Sequence, residues 1–274
     1  LEVYREVCAE YGHITNVISG DIKFRKETLE PFLGTIGFYE KGNFENKLVD
    51  KDNYFKDSVL EGCSSQIEDV WEVDIEKYKV DYLAQRFSPG TKTQKLCHDY
   101  LEGMQWVISY YTKGVPNWKW NYPYHFAPPA SIIAQHVSTF KFPKYPKTVS
   151  STPFQQLLCV LPPRSANLIP SPLCDLLTDD NSPIKQFCPD DFKVDLSGKR
   201  REWEGIVILP IVNFDLVRQC YLELVDKIDP RDMKRNMLGK SFVYRYLPDV
   251  SPKEIKSYYG DIKECYVRTV LLDL

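Results

Sequence analysis

The residues with the most chemistry to offer lie in one short tract. Pro116-Asn117-Trp118-Lys119-Trp120-Asn121-Tyr122-Pro123-Tyr124-His125-Phe126-Ala127-Pro128-Pro129 sets six ring-bearing side chains among four prolines. Rings at this density either offer their π faces to a planar ligand, a base or a sugar, or plug the segment onto its neighbours. The candidates are Trp118, Trp120, Tyr122, Tyr124 and His125. His125 lies between Tyr124 and Phe126 with no acidic residue nearby in sequence, so it reads as a donor or a satisfied core histidine, not a general base.

Other tracts tempt the eye and carry less. Asp179-Asp180 and Asp190-Asp191 could be metal ligands, but each sits in turn chemistry, before Asn181-Ser182-Pro183 and after Pro189. There carboxylates cap backbone amides. Lys199-Arg200-Arg201 is the densest basic run and reads as the solvated tip of a turn, with Arg164 a weaker case. His98 and His136 read as surface or core residues. The eight cysteines are scattered, with no C-x-x-C pair. That excludes a zinc knot and favours free buried thiols.

Composition narrows the classes further. With 35 basic and 38 acidic residues the net charge is −3. A protein that grips nucleic acid unaided is usually basic, because neutralised phosphates release counterions. Either this chain leaves nucleic acid alone or a partner segment supplies most of the charge. No apolar run reaches the length of a membrane span. The chain begins at Leu1 without Met and is amphipathic at once, as expected of a piece of a longer protein.

The tract must be held by regular elements on either side. Four prolines forbid a regular helix or central strand through it, so it is an irregular loop, where binding residues concentrate. Before it, Leu96, Tyr100, Leu101, Met104, Val107, Ile108 and Tyr111 give a helix over 93–112, with Gly114 as its stop. Trp106 on that helix is expected to pack. Residues 1–11 are helical. Residues 22–48 read as a longer helix, kinked by Pro31, Gly34, Gly37 and Gly42. Residues 49–70 have few apolar anchors and read as a flexible linker. A further helix is expected over 70–88. Two short helices follow at 152–161 and 166–178, then a strand pair about Ser197-Gly198, with Trp203 expected in the core. Helices over 213–226 and 229–238 come next, the second ended by Gly239. The tail from 247 is undecided.

Several blocks together resemble one family. Tyr100-Leu101-Glu102-Gly103-Met104-Gln105-Trp106-Val107-Ile108-Ser109-Tyr110-Tyr111 with Trp118, Trp120 and Tyr122–Pro128 resembles the second conserved region of Xrn-type 5′→3′ exoribonucleases. So do, in order, Leu158–Pro163, Ile169-Pro170, Leu176–Asp179, Ser182-Pro183-Ile184, Asp195-Leu196, Gly198-Lys199, Trp203-Glu204-Gly205 and Arg235-Asn236. The stretch from Leu1 to Phe44-Glu45 is similar to the segment joining the family's two conserved regions.

The resemblance implies a mostly α module with a minor β component, irregular in form, packed against a separate catalytic region. It implies residues 1–48 as the joining segment, 49–70 as linker, 71–246 as the second conserved region, and 247–274 as an extension leading to the next domain. The parent reaction would be 5′→3′ degradation of single-stranded, 5′-monophosphate RNA with Mg2+. Two-metal hydrolysis needs several carboxylates converging on ions about 3.5–4 Å apart. That set is expected in the catalytic region and not here, so the fragment alone is expected to be inactive. The implied role is to shape the RNA entry channel, with a tryptophan of the aromatic loop stacking on bases. Trp118 and Trp120 are equal candidates. The rival reading is a protein-interaction scaffold for RNA-decay factors, with wholly structural rings. Ser251-Pro252, Tyr259, Asp261-Ile262 and Cys265 are more like the cytoplasmic branch than the nuclear one.

Overall fold

A computed structural model describes residues 1–237, 239–256 and 260–272. The order begins with α1 (Glu2–Tyr11), the strands β1 (Thr15–Ile18) and β2 (Asp21–Phe24), then α2 (Lys26–Phe38), α3 (Glu40–Val49) and α4 (Ser58–Gly62). β3 (Ser64–Ile67) and β4 (Val70–Val73) lead into α5 (Ile75–Arg86) and the long α6 (Thr93–Lys113). After the aromatic loop come α7 (Ala130–Ala134), α8 (Pro153–Val160), α9 (Ser171–Thr178), β5 (Lys193–Asp195), β6 (Ile206–Ile208), α10 (Phe214–Leu224) and α11 (Pro230–Met233). The tail carries β7 (Ser241–Tyr246), β8 (Lys253–Ile255), β9 (Ile262–Cys265) and β10 (Val267–Leu272).

The architecture is mostly helical with a minor β part. Every sheet among the described residues is a two-stranded antiparallel pair: β1–β2, β3–β4, β5–β6, β7–β10 and β8–β9. The first two hairpins turn on two-residue loops whose central residues all have positive φ, Ser19-Gly20 and Glu68-Asp69. That geometry matches the twist of the flanking strands.

Three apolar cores hold the helices. The first gathers Leu29 and Leu33 of α2, Cys97 and Leu101 of α6, and Ile133 and Val137 around α7. The second gathers Leu48, Val59, Leu60, Val73 and Tyr78. The third gathers Phe154 and Leu158 of α8, Leu173 and Leu177 of α9, and Val217 and Tyr221 of α10.

Several expectations are corrected. Residues 22–48 are not one kinked helix. Residues 21–24 are strand, and the helix breaks at Tyr39 between α2 and α3. Residues 49–70, expected as a flexible linker, fold into a 3-10 turn, α4 and most of a hairpin, with Val59, Leu60 and Cys63 buried. Three anchors suffice because they fall together around one helical turn, whose start Asp57 caps by accepting the Leu60 N–H at 3.2 Å. The expected 70–88 helix starts only at Ile75, capped by Asp74, because its first residues pair in β4. Trp203, expected in the core, is 82% exposed. The 229–238 helix is shorter, α11 followed by a 3-10 turn at Lys234–Asn236. Its last residue, Leu238, and Tyr259 of the tail lie outside the described residues.

The crossing of α2 and α7 is set by one glycine. A Cβ on Gly37 would lie 2.6 Å from Ser131 Cα and 2.7 Å from its backbone nitrogen. Backbone cannot yield as a flexible side-chain end does, so the helices must separate. Glu40 stitches the same crossing, accepting from the Ala130 N–H at 2.7 Å and the Ser131 hydroxyl at 2.6 Å. Gly37→Ala is expected to destabilise the protein by about 1–3 kcal/mol. Gly34→Ala, with open space at its Cβ, is expected to be neutral or up to about 1 kcal/mol stabilising through helix propensity. Urea denaturation of the two variants checks the contrast.

Candidate nucleic-acid interface

α6 is the bench on which the aromatic loop is laid. Its inner face buries Leu96, Cys97, Leu101 and Gln105. Gln105 is a buried amide that is fully used. It donates to Ile22 O at 2.8 Å and accepts from the Phe24 N–H at 3.3 Å, tying β2 to the helix. Trp106, one residue on, donates its indole N–H to Asn117 O at 3.1 Å and so fixes the start of the loop.

The five candidate residues have different fates. Trp120 stacks on Trp106 with centroids 5.7 Å apart, and Trp106 stacks in turn on Tyr110 at 5.5 Å. The rim of the Trp120 ring lies over Gly103, where an added Cβ would come within 2.9 Å of it. Its indole also bonds Glu102, whose carboxyl burial pushes upward. Tyr122 donates to Phe126 O at 2.8 Å and meets Tyr100 edge-on at 5.7 Å. Burial raises its hydroxyl pKa. Tyr124 donates to Asp99 at 3.2 Å and packs edge-on against Phe87 at 5.5 Å. The His125 Nε2 lies 2.7 Å from Leu209 O, just past β6, and so must carry the proton that makes this bond. Trp118 alone of the five is exposed, at 50%. Its backbone is held, the N–H donating to the Thr148 hydroxyl at 2.7 Å.

The far side of the loop is anchored electrostatically. Arg86, at the end of α5, forms an ion pair with Asp195 of β5. The pair is nearly buried, with 12% and 8% of the side chains exposed. The Arg86 guanidinium also lies over the Phe126 ring, 4.7 Å from its centroid. Tyr82 donates to Ala127 O at 3.0 Å. The loop is therefore clamped between α5, α6 and the β5–β6 hairpin. No sequence signal marked Arg86 or Asp195 as the clamp, because the two are brought together from distant parts of the chain.

The remaining candidates behave as local structure. Asp179 accepts from the Asn181 N–H at 2.8 Å, and Asp191 from the Phe192 N–H at 2.9 Å. Asp190 pairs with Lys185 at 3.0 Å. His98 bonds the Thr139 hydroxyl at 3.1 Å. Among the described residues no three His, Cys, Asp or Glu side chains gather as metal ligands. No helix there is long and apolar enough to cross a membrane.

Beside Trp118 lies a cavity of about 600 Å³, lined in part by Lys119, Lys147, Thr148, Asp215 and Arg218. Lys119 and Asp215 close one wall with a 2.6 Å ion pair. An exposed indole over a cationic, hydroxyl-rich hollow can stack a flat base and hold an anion next to it.

Comparison with known proteins places the chain in a family. The chain is 30% identical over 261 residues to 5′-3′ exoribonuclease 1 of Saccharomyces cerevisiae, covering 91% of this chain and 17% of that protein. It is 31% identical over 214 residues to 5′-3′ exoribonuclease 1 of Homo sapiens, covering 76% of this chain and 12% of that one. With 5′-3′ exoribonuclease 2 of Neurospora crassa it shares 36% over 179 residues, covering 64% and 16%. The chain thus spans under a fifth of the length of these relatives. A family model described as the Xrn1 helical domain matches residues 2–261, and the chain belongs to that family, the helical domain of Xrn 5′-3′ exoribonucleases.

Proposed function

We propose that this chain is the non-catalytic, helical part of the core of an enzyme that degrades 5′-monophosphate RNA from its 5′ end. It packs beside the catalytic region, narrows the entrance to single-stranded RNA, and presents Trp118 to the incoming bases. The observation that carries the reading is the sorting of the aromatic loop. Four of its five candidate rings are spent on packing or part-buried hydrogen bonds, and one is held by its backbone with half of its surface exposed. Stacking is indifferent to base identity, as degradation of any RNA requires.

The parent's hydrolytic step would use Mg2+ held by several converging carboxylates. We place those ligands in the catalytic region. The resemblance of the tail residues Ser251-Pro252, Asp261-Ile262 and Cys265 to the cytoplasmic branch supports a cytoplasmic setting in RNA decay.

The test is degradation of 5′-monophosphate RNA with magnesium by the parent enzyme and by this chain alone. The chain alone is expected to be inactive. Trp118→Ala in the parent is expected to cost about 1–3 kcal/mol of RNA contact, read as weaker binding with unchanged melting. Trp120→Ala is expected to lower the melting temperature, since it uncovers Trp106 and Gly103. A Trp118→Ala enzyme with full RNA affinity would favour the scaffold reading, in which all the rings serve packing.

A further inference from the structure

Between α7 and α8 the chain runs without helix or strand from Phe140 to Thr152. Its burial has a period of three. Phe142, Tyr145 and Thr148 are turned partly inward, while Lys141, Lys144 and Lys147 are exposed. Each inward residue has a fixed use. Phe142 packs on Phe140 and the α6–α7 core, with Lys23 5.9 Å from its ring centroid. Tyr145 donates to Glu102 O at 3.4 Å, and Thr148 accepts the Trp118 N–H. Three residues per turn is the repeat of a polyproline II helix, which Pro143 and Pro146 favour. It spaces the lysines about 9 Å apart along the chain. None of the three lysines has a hydrogen-bond or ion-pair partner among the described residues. The last of them, Lys147, also lines the cavity beside Trp118.

We propose that Lys141, Lys144 and Lys147 form a comb for the phosphate backbone of single-stranded RNA, guiding the strand along the outside of the module to Trp118. The proposal rests on the RNA reading above and adds a second, purely electrostatic contact to it. It also answers how a chain of net charge −3 can touch a polyanion, since three cations stand in a row on one exposed strip. The segment is anchored along one face by Phe142, Tyr145 and Thr148, so little ordering is needed on binding. A row of point charges that ends at an exposed ring is the arrangement used for sequence-independent binding of single strands. An acidic peptide would use the comb but has no part that calls for the ring.

The test uses the full parent enzyme held in EDTA and a 3′-labelled, 5′-monophosphate oligouridylate, with affinity read by anisotropy across a potassium chloride series. Each phosphate contact on a single strand contributes about 0.7 to the slope of log K against log salt, so three contribute about 2. K141Q/K144Q/K147Q is expected to flatten the slope by about 2 units. The matching triple arginine variant is expected to restore it. Trp118→Ala is expected to weaken binding at every salt concentration without changing the slope. A triple glutamine variant with the parent slope overturns the comb. So does a result in which that variant loses binding of a poly-glutamate peptide while RNA binding is unchanged, since the strip would then serve a protein. The Trp118→Ala arm separates the two readings: unchanged affinity there, with a flattened lysine slope, removes the stacking role and leaves the comb.

Discussion

Asp195→Ala is expected to lower the unfolding free energy by about 3–5 kcal/mol, measured by urea denaturation. The reason is the partner left behind. Arg86 has 12% of its side chain exposed, its Nε has no hydrogen-bond partner, and its flat face is occupied by Phe126. Without the carboxylate, a guanidinium stays charged in a place where water cannot replace the lost acceptor. The Ser197 N–H, now bonded to Asp195 at 2.8 Å, loses its acceptor as well. The loss measures an orphaned charge, not the net worth of the pair. Replacing both partners by apolar residues of similar volume, Arg86→Met with Asp195→Leu, is therefore expected to recover most of the stability. If the single and double variants are equally unstable, the pair is a packing element and the electrostatic account is wrong. Because Arg86 and Tyr82 hold Phe126 and Ala127, Asp195→Ala should also loosen the aromatic loop, seen as faster amide exchange there.

Phe154→Ala is expected to cost about 3–5 kcal/mol, for a different reason. Phe154 is 1% exposed at the centre of the α8–α9–α10 core. Its ring removes a large apolar volume from water, and close packing on all sides prevents collapse into the space it would leave. The backbone there is pinned too. The Phe154 N–H donates to Asn236 Oδ1 at 2.9 Å, and Asn236 donates to the Tyr221 hydroxyl at 2.7 Å. Arg235, 5.6 Å from the ring centroid, covers one face of Phe154. This explains why the Arg235-Asn236 pair stands out in the sequence: it closes the core. Trp203→Ala provides the contrast. Trp203 is a larger residue but 82% exposed, so its loss is expected to change stability by no more than about 0.5 kcal/mol. Equal losses for the two would mean that Trp203 is buried in solution.

Much of the architecture was legible because it depends on periods within a single segment. The α6 face, its stop at Gly114, and the refusal of 115–129 to form regular structure all follow from residues near one another in sequence. The β5–β6 pair about Ser197-Gly198 was legible for the same reason. So was the resemblance to the family, carried by ordered blocks. The linker at 49–70 was misread because a count of anchors ignores where they point, and Val59, Leu60 and Cys63 all point inward.

The residues of 116–129 and of the helix before them require six aromatic and histidine side chains to crowd one irregular loop beside a long helix. Which of them would be free was decided only by tertiary structure. Trp118 and Trp120 are the same residue type, two positions apart, and nothing local separates them. Trp120 is claimed by Gly103 and Trp106 on α6, and His125 by a carbonyl 84 residues away. Trp118 keeps half of its surface exposed at the mouth of the cavity. Burial belongs to two surfaces at once, so one stretch of sequence can propose a ring for a site, but only the fold can leave it exposed.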